Sequence, residues 1–408
     1  MKKAVLKNYA ELIATMGVNV QKGQEVYIDA GLDQPEFVLL VAEACYKRGA
    51  SKVVIDWNYQ PQTKLKYRYE KNSVLSEVTK EEESRWQRYV EKIPCRIYLE
   101  SDDPDGLKGI NSEKVARAKQ ARYPVYKTYR DQIENKYQWC IAAVPGKKWA
   151  KKLFPRERAG KAEELLWEAI LSTSRALTGN ACENWKEHNR DLHKRCDYLN
   201  SLGIESLHYR AANGTDFTVG MIPEAEFKAA SELSLQGIEF NPNIPSEECF
   251  ISPMKGRAEG IVYSSLPLSY QGQLIENFWI RFADGKATEW GAEKNGALLT
   301  EMITMDATSG YLGECALVPY SSPVRESGVL FYNTLFDENA ACHLALGSGF
   351  PDSLKDYSKY TLEEARKMGI NDSMIHVDFM IGTKDLSVTA KTKDGKEVPV
   401  FTNGDWAF

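Results

Sequence analysis

Apolar positions in the N-terminal third of the chain alternate between two periods. Val5, Tyr9, Leu12, Ile13 and Met16 recur on one face of a helix, and Gly17 closes it. Lys22-Gly23-Gln24 then turns the chain into the short run Val26-Tyr27-Ile28, a strand. Asp33 is placed to cap a second helix, which carries Phe37, Leu40, Val41, Ala44 and Cys45 and stops at Gly49. Val53-Val54-Ile55 follows as the next strand. The same unit recurs through Arg96-Ile97-Tyr98-Leu99, a helix near Val115 to Ala121, and Cys140-Ile141-Ala142-Ala143-Val144. Strands alternating with helices predict a mainly parallel sheet covered on both faces. No Gly-x-Gly-x-x-Gly or Walker-type loop follows any of these strands, so nothing supports a nucleotide site.

A helix-rich stretch runs from about Arg158 through Leu202 and is interrupted at Gly179-Asn180. From Leu207 onward the period shortens. Phe217-Thr218-Val219, Gly260-Ile261-Val262-Tyr263 and Phe278-Trp279-Ile280-Arg281-Phe282 read as strands separated by Gly, Asn, Asp and Pro. Asp284-Gly285 signals a hairpin. Later helical patterns are confined to Gly296–Met305 and Leu362–Met368. The expected architecture is an α/β N-terminal domain with a mainly parallel sheet over residues 1–179, followed by a strand-rich α+β C-terminal domain over 180–408.

Composition narrows the function. A chain of 408 residues exceeds what one hydrophobic core supports. With 43% apolar and 27% charged residues it is a packed globular protein. A net charge of −5 offers no basic field for nucleic acid or anionic lipid. No run of about 18 apolar residues predicts a membrane span, and the N-terminus shows no apolar signal segment. The eight cysteines include no Cys-x-x-Cys pair, which points to reduced thiols, a cytoplasmic protein and no cysteine-held zinc.

The chain has five histidines. His188 and His193 read as parts of a solvated helix face, and His208 has no acidic neighbour of note. His376-Val377-Asp378 is different, because alternation along a strand places His376 and Asp378 on one face among apolar neighbours. A buried Asp paired with Arg or Lys explains this tripeptide as well as a metal does. His343 lies among small residues in Glu338-Asn339-Ala340-Ala341-Cys342-His343, just before Gly347-Ser348-Gly349. Glu247-Glu248 ends a proline-punctuated loop, and Glu314 stands at the mouth of an apolar strand. Taken together, Glu248, Glu314, Glu338, His343, His376 and Asp378 offer oxygen and nitrogen donors without thiolates, a set that suits zinc, cobalt or manganese. Four carboxylates balance the charge of two divalent ions, and hydrolytic two-metal sites hold such ions about 3.5–4 Å apart. Nothing in the sequence shows that these groups meet.

Several separated motifs, in order, resemble the bacterial metallo-aminopeptidases of the aminopeptidase T, aminopeptidase S and PepS type. They include Asn19-Val20-Gln21-Lys22-Gly23-Gln24, Gly214-Thr215-Asp216-Phe217-Thr218-Val219-Gly220 and Asn243-Ile244-Pro245-Ser246-Glu247-Glu248. The likeness is sharpest in Leu312-Gly313-Glu314, Glu338 to His343, and His376 to Gly382. The resemblance implies a metal-dependent aminopeptidase with two divalent ions, short peptide substrates and a homodimer. It implies metal-ligand roles for Glu248, Glu314, His343, His376 and Asp378, with Glu338 a sixth ligand and Glu314 the bridging one. Glu247 then becomes a proton-handling residue. Where the family pattern has a catalytic tyrosine in the loop after His343, this chain has Phe350, which keeps the ring and lacks the hydroxyl. Phe350 therefore opens an alternative, a non-catalytic metal-dependent peptide-binding protein. A carboxylate-pair hydrolase such as a glycosidase, using Glu247 or Glu314 with Asp378, is the other rival.

Overall fold

The structure is a computed structural model that describes residues 1–408. The chain forms two compact units. One comprises residues 1–189 and 230–246, the other residues 190–229 and 247–408.

The first unit is built on a parallel four-stranded sheet. Its order is Lys52–Asn58, Glu25–Gly31, Cys95–Glu100, Trp139–Ala143, and every neighbouring pair is parallel. Val26, Ile28, Ile97, Leu99, Cys140 and Ala142 are buried, as the apolar runs require. Helix Lys3–Leu12 brings Tyr9 onto Phe37 of helix Pro35–Lys47, with ring centroids 5.4 Å apart. Asp33 does not cap that second helix. The residue before it is Gln34, and Asp33 instead accepts a hydrogen bond from Ser101 Oγ at 2.9 Å. Three further helices, Gln60–Tyr69, the short Asn72–Leu75 and Lys80–Lys92, precede the third strand. The helix expected near Val115 to Ala121 extends over Ser112–Ile133, with Asn111 accepting from the Lys114 N–H at 3.1 Å as its cap.

In the second unit a nine-stranded sheet includes the hairpin Gln273–Ala283/Lys286–Lys294. Its two-residue loop, Asp284-Gly285, has φ of +51° and +78°, the left-handed pair that a tight hairpin demands. A separate antiparallel sheet has the order His376–Met380, His343–Gly347, Leu312–Leu317, Cys249–Ile251, Lys228–Ala229. Helices Gly296–Ile303 and Leu362–Lys367 lie where the helical patterns predict them.

Candidate metal centre

Strand register assembles the site on one face of the five-stranded sheet. Glu314, Ala345 and Asp378 form a row across three strands, because Glu314 pairs with Ala345 and Ala345 with Asp378. In the adjacent rows Gly347 pairs with His376 on one side, and Ala316 pairs with His343 on the other. Side chains alternate along each strand, so His343, His376, Asp378 and Glu314 all emerge on this face. Ala345 and Gly347 leave the space between them open. The register slips by one residue at Gly313, a bulge that aims Glu314 at this row. A side chain at Gly313 would overlap the Ser348 carbonyl. Glu248 immediately precedes the strand Cys249–Ile251, which pairs with the Glu314 strand.

Two groups of ligand atoms result, Glu248–Glu314–His343 and Glu314–His376–Asp378, and within each every atom lies within 4.8 Å of the others. Glu314 belongs to both. His343 Nε2 lies 3.0 Å from Glu248 Oε2, while His376 Nε2 lies 3.0 Å from Glu314 Oε2 and 3.2 Å from Asp378 Oδ1. Both rings are fixed from behind, since His343 Nδ1 donates to the Ala341 carbonyl at 3.1 Å and His376 Nδ1 to the Ser348 carbonyl at 2.7 Å. These bonds leave each Nε2 facing the carboxylates, the tautomer a metal ligand needs.

Electrostatics show a site built for cations. Burial raises the Glu314 carboxyl to about 7, with Glu248 and Asp378 adding to the rise and His376 opposing it. Glu338 is buried beside the same charges and is raised well above the carboxylate range. Asp378 goes the other way, because the two imidazoles outweigh its burial. For His343 burial alone would lower the value, but Glu248 and its neighbours raise it to about 9. Asp378 Oδ1 is buried with no well-aligned hydrogen bond, its near neighbour being His376 Nε2 at 3.2 Å. An orphaned carboxylate oxygen inside four buried acids is the donor that a metal ion satisfies, so the residues present fit a divalent ion.

The other expected site residues fall around this core. Glu338 is 8% exposed and stands outside both ligand groups, with Asn339 Nδ2 donating to its Oε1 at 3.4 Å. Glu247 is also buried and outside the groups; its backbone N–H donates to Asn339 Oδ1 at 2.6 Å. The Phe350 ring centroid lies 4.7 Å from that of His376 and 5.5 Å from that of Phe250. The remaining histidines depart from their sequence reading. His188 and His193 are half-buried, with Nε2 against the Ser246 and Ala229 carbonyls. His208 does have an acidic partner, Asp216 Oδ1 at 2.7 Å, supplied by the neighbouring strand. Sequence reasoning missed Ala341, Ser348 and Asn339 as supports, because a backbone carbonyl or an amide near a ligand carries no signal until the loops are folded.

A model of the family described as thermophilic metalloprotease (M29) matches residues 2–406. The chain belongs to the thermophilic metalloprotease (M29) family. Its resemblance to Aminopeptidase AmpS of Bacillus subtilis (strain 168) is 40% identity over 404 residues, covering 99% of this chain and 98% of that protein. Aminopeptidase T of Thermus aquaticus is 34% identical over 409 residues, covering 98% of each. The structure of wild-type AmpT from Thermus thermophilus superposes with a TM-score of 0.88 at 33% identity, covering 100% of both chains. A dioxygenase from Pseudomonas putida KT2440 shares only the fold, at a TM-score of 0.53 and 12% identity. As an M29 metalloprotease the chain is a metal-dependent peptidase acting on peptides, which removes the glycosidase reading. No helix is long and apolar enough to cross a membrane.

Proposed function

We propose that this M29 metalloprotease is an aminopeptidase that holds two divalent ions and releases N-terminal residues from short peptides. The observation that carries this reading is the sharing of Glu314 by both ligand groups. Glu248 and His343 complete one position, and His376 and Asp378 the other. Zinc, cobalt and manganese all suit this donor set. Bound there, a pair of divalent ions supplies a water of lowered pKa and polarises the scissile carbonyl.

The chain's own groups do the rest. The carbonyls of Ala341 and Ser348 orient the two imidazoles. Glu338, kept protonated by burial and like charge, adds no further negative charge beside the ligands. Glu247, set in place by Asn339, hands the proton from the attacking water to the leaving amine. Phe350 packs against the His376 ring and walls the site. A cytoplasmic location accords with eight free cysteines. A homodimer belongs to the same proposal, and the exposed Trp57, Tyr59, Leu65 and Tyr69 of the first unit offer apolar surface for it.

Phe350 favours a second reading, metal-dependent peptide binding without turnover. To separate the two, chelated protein is titrated with zinc, cobalt or manganese while hydrolysis of a leucyl peptide and its N-acetylated counterpart is followed. Aminopeptidase action requires activity that saturates at two ions per chain and spares the acetylated peptide. Saturation at one ion, or activity that survives chelator, would overturn the proposal. Peptide binding without hydrolysis at full metal loading would select the second reading.

A further inference from the structure

The first unit contains a cavity of about 380 Å³ on the sheet face under helix Lys80–Lys92, remote in function from anything assigned above. Its floor is laid by the strands Glu25–Gly31 and Cys95–Glu100, neighbours in the parallel sheet. Register puts Tyr27 beside Arg96 and Asp29 beside Tyr98. The half-buried Arg96 guanidinium lies 4.8 Å from the Tyr89 ring centroid, 5.1 Å from that of Tyr98 and 5.5 Å from that of Trp86. No carboxylate forms an ion pair with it, and Tyr137 is hydrogen-bonded to it.

The other charges at this cavity are mostly matched. Asp56 pairs with Arg85 at 2.9 Å, and Glu82 pairs with Arg122. Asp29 accepts a hydrogen bond from the Asn58 amide, and the charges of Arg96 and Arg85 act on its carboxyl without an ion pair being formed. Arg96 and Asp29 stand two residues apart on neighbouring strands, on the same face, and both line the cavity. An α-amino acid carries its carboxylate and its ammonium on one carbon, so a cation and an anion on one wall can each take one end. Arginine is always charged and presents a fork that matches a carboxylate, so a ligand carboxylate supplies the partner the protein withholds. The rings of Trp86, Tyr89 and Tyr98 offer apolar contact to the remainder of such a ligand.

We propose that this cavity is a binding site for a free α-amino acid, its carboxylate on Arg96 and its ammonium on Asp29. The site shares no residue with the metal centre and stands whether or not the two-ion reading holds. The test is calorimetric titration of the full-length chain in chelator, which keeps the metal centre from binding the probe. L-Phenylalanine is expected to bind, and N-acetyl-L-phenylalanine and L-phenylalaninamide, each lacking one charge, to bind at least about tenfold more weakly. Asp29→Asn and Arg96→Lys, the second retaining a cation under the rings, should each weaken L-phenylalanine by a similar factor. Absence of binding to the wild-type chain overturns the proposal. So does equal binding of the acetylated probe, which would mark a plain anion site, or wild-type affinity in both variants.

Discussion

Glu314→Gln is expected to stabilise the metal-free protein while disabling the metal-loaded one. Burial, reinforced by Glu248 and Asp378, raises the Glu314 carboxyl from 4.5 to about 7. A folded-state value above the unfolded one means that ionising this group opposes folding. The opposition is absent below about pH 4.5, grows with pH and is complete above about pH 7. A shift of this size corresponds to roughly 3 kcal/mol. Gln keeps the volume and retains a carbonyl that can accept from His376 Nε2, 3.0 Å from the present oxygen, but it removes the charge. For a unit of about 200 residues, 1 kcal/mol moves Tm by about 2–4 °C, so chelated Glu314→Gln should melt roughly 6–12 °C above chelated wild type near pH 8. The gap should close as the pH falls toward 5. With metal present the order reverses, because both ligand groups lose their shared charge, and peptide hydrolysis should drop by at least about 100-fold. Calorimetric melting with and without chelator at two pH values reads the stability, and metal analysis with a peptide hydrolysis assay reads the rest. A chelated variant that melts at or below wild type near pH 8 would refute the buried repulsion, and unchanged metal stoichiometry would refute the shared ligand.

Metal binding should release protons, since His343 titrates at about 9 and Glu314 at about 7 in the metal-free site. Affinity should therefore rise with pH through this window, and titration calorimetry in buffers of different ionisation enthalpy should count net proton release near neutrality. Glu338→Gln should leave metal stoichiometry intact, because this carboxyl lies outside both ligand groups and is already protonated; loss of an ion on metal analysis would make Glu338 a ligand after all. Phe350→Tyr restores a hydroxyl beside His376 and is expected to raise turnover by about 10²–10³, the worth of a single oxyanion donor. Unchanged turnover with intact metal would show that the hydroxyl is dispensable here. Gly347→Ala places a Cβ against the Ile375 carbonyl at a residue with φ of +105°. It should lower stability by about 1–3 kcal/mol in urea unfolding and weaken metal binding through the paired His376 strand; a neutral result would show that the strands relax around it.

Elements that fold by local pattern were legible in the sequence. The four parallel strands announce themselves as apolar runs, and Asp284-Gly285 marks its hairpin because few other residues accept two left-handed positions. Helix Gln60–Tyr69 escaped the same treatment for a physical reason: it buries no residue, so it carries no apolar period to detect. Helix Lys80–Lys92 buries only Tyr89, yet its Thr79-x-x-Glu82 capping box was available as a signal. Asp33 looks like a cap because of its chemistry and position, but the Ser101 hydroxyl competes for its carboxylate. Nor does composition reveal that residues 230–246 rejoin the first unit.

The metal centre divides along the same line. His376 and Asp378 could be read together because period two is a local rule. Glu314 could be listed as a candidate from its setting but assigned as a ligand only through family resemblance, since its place depends on a bulge at Gly313 and on pairing with a strand some thirty residues later. That dependence also explains how four acids come to lie together. Each is anchored on or beside a strand of one antiparallel sheet, or in the short turn before His343, and the backbone ladder sets their spacing regardless of their mutual repulsion. The cost of that repulsion appears in the raised carboxyls of Glu314 and Glu338 and in the orphaned Asp378 oxygen. A rigid frame that tolerates such a cost has little left to rearrange when cations bind, and the repulsion it stores becomes part of the affinity with which they are held.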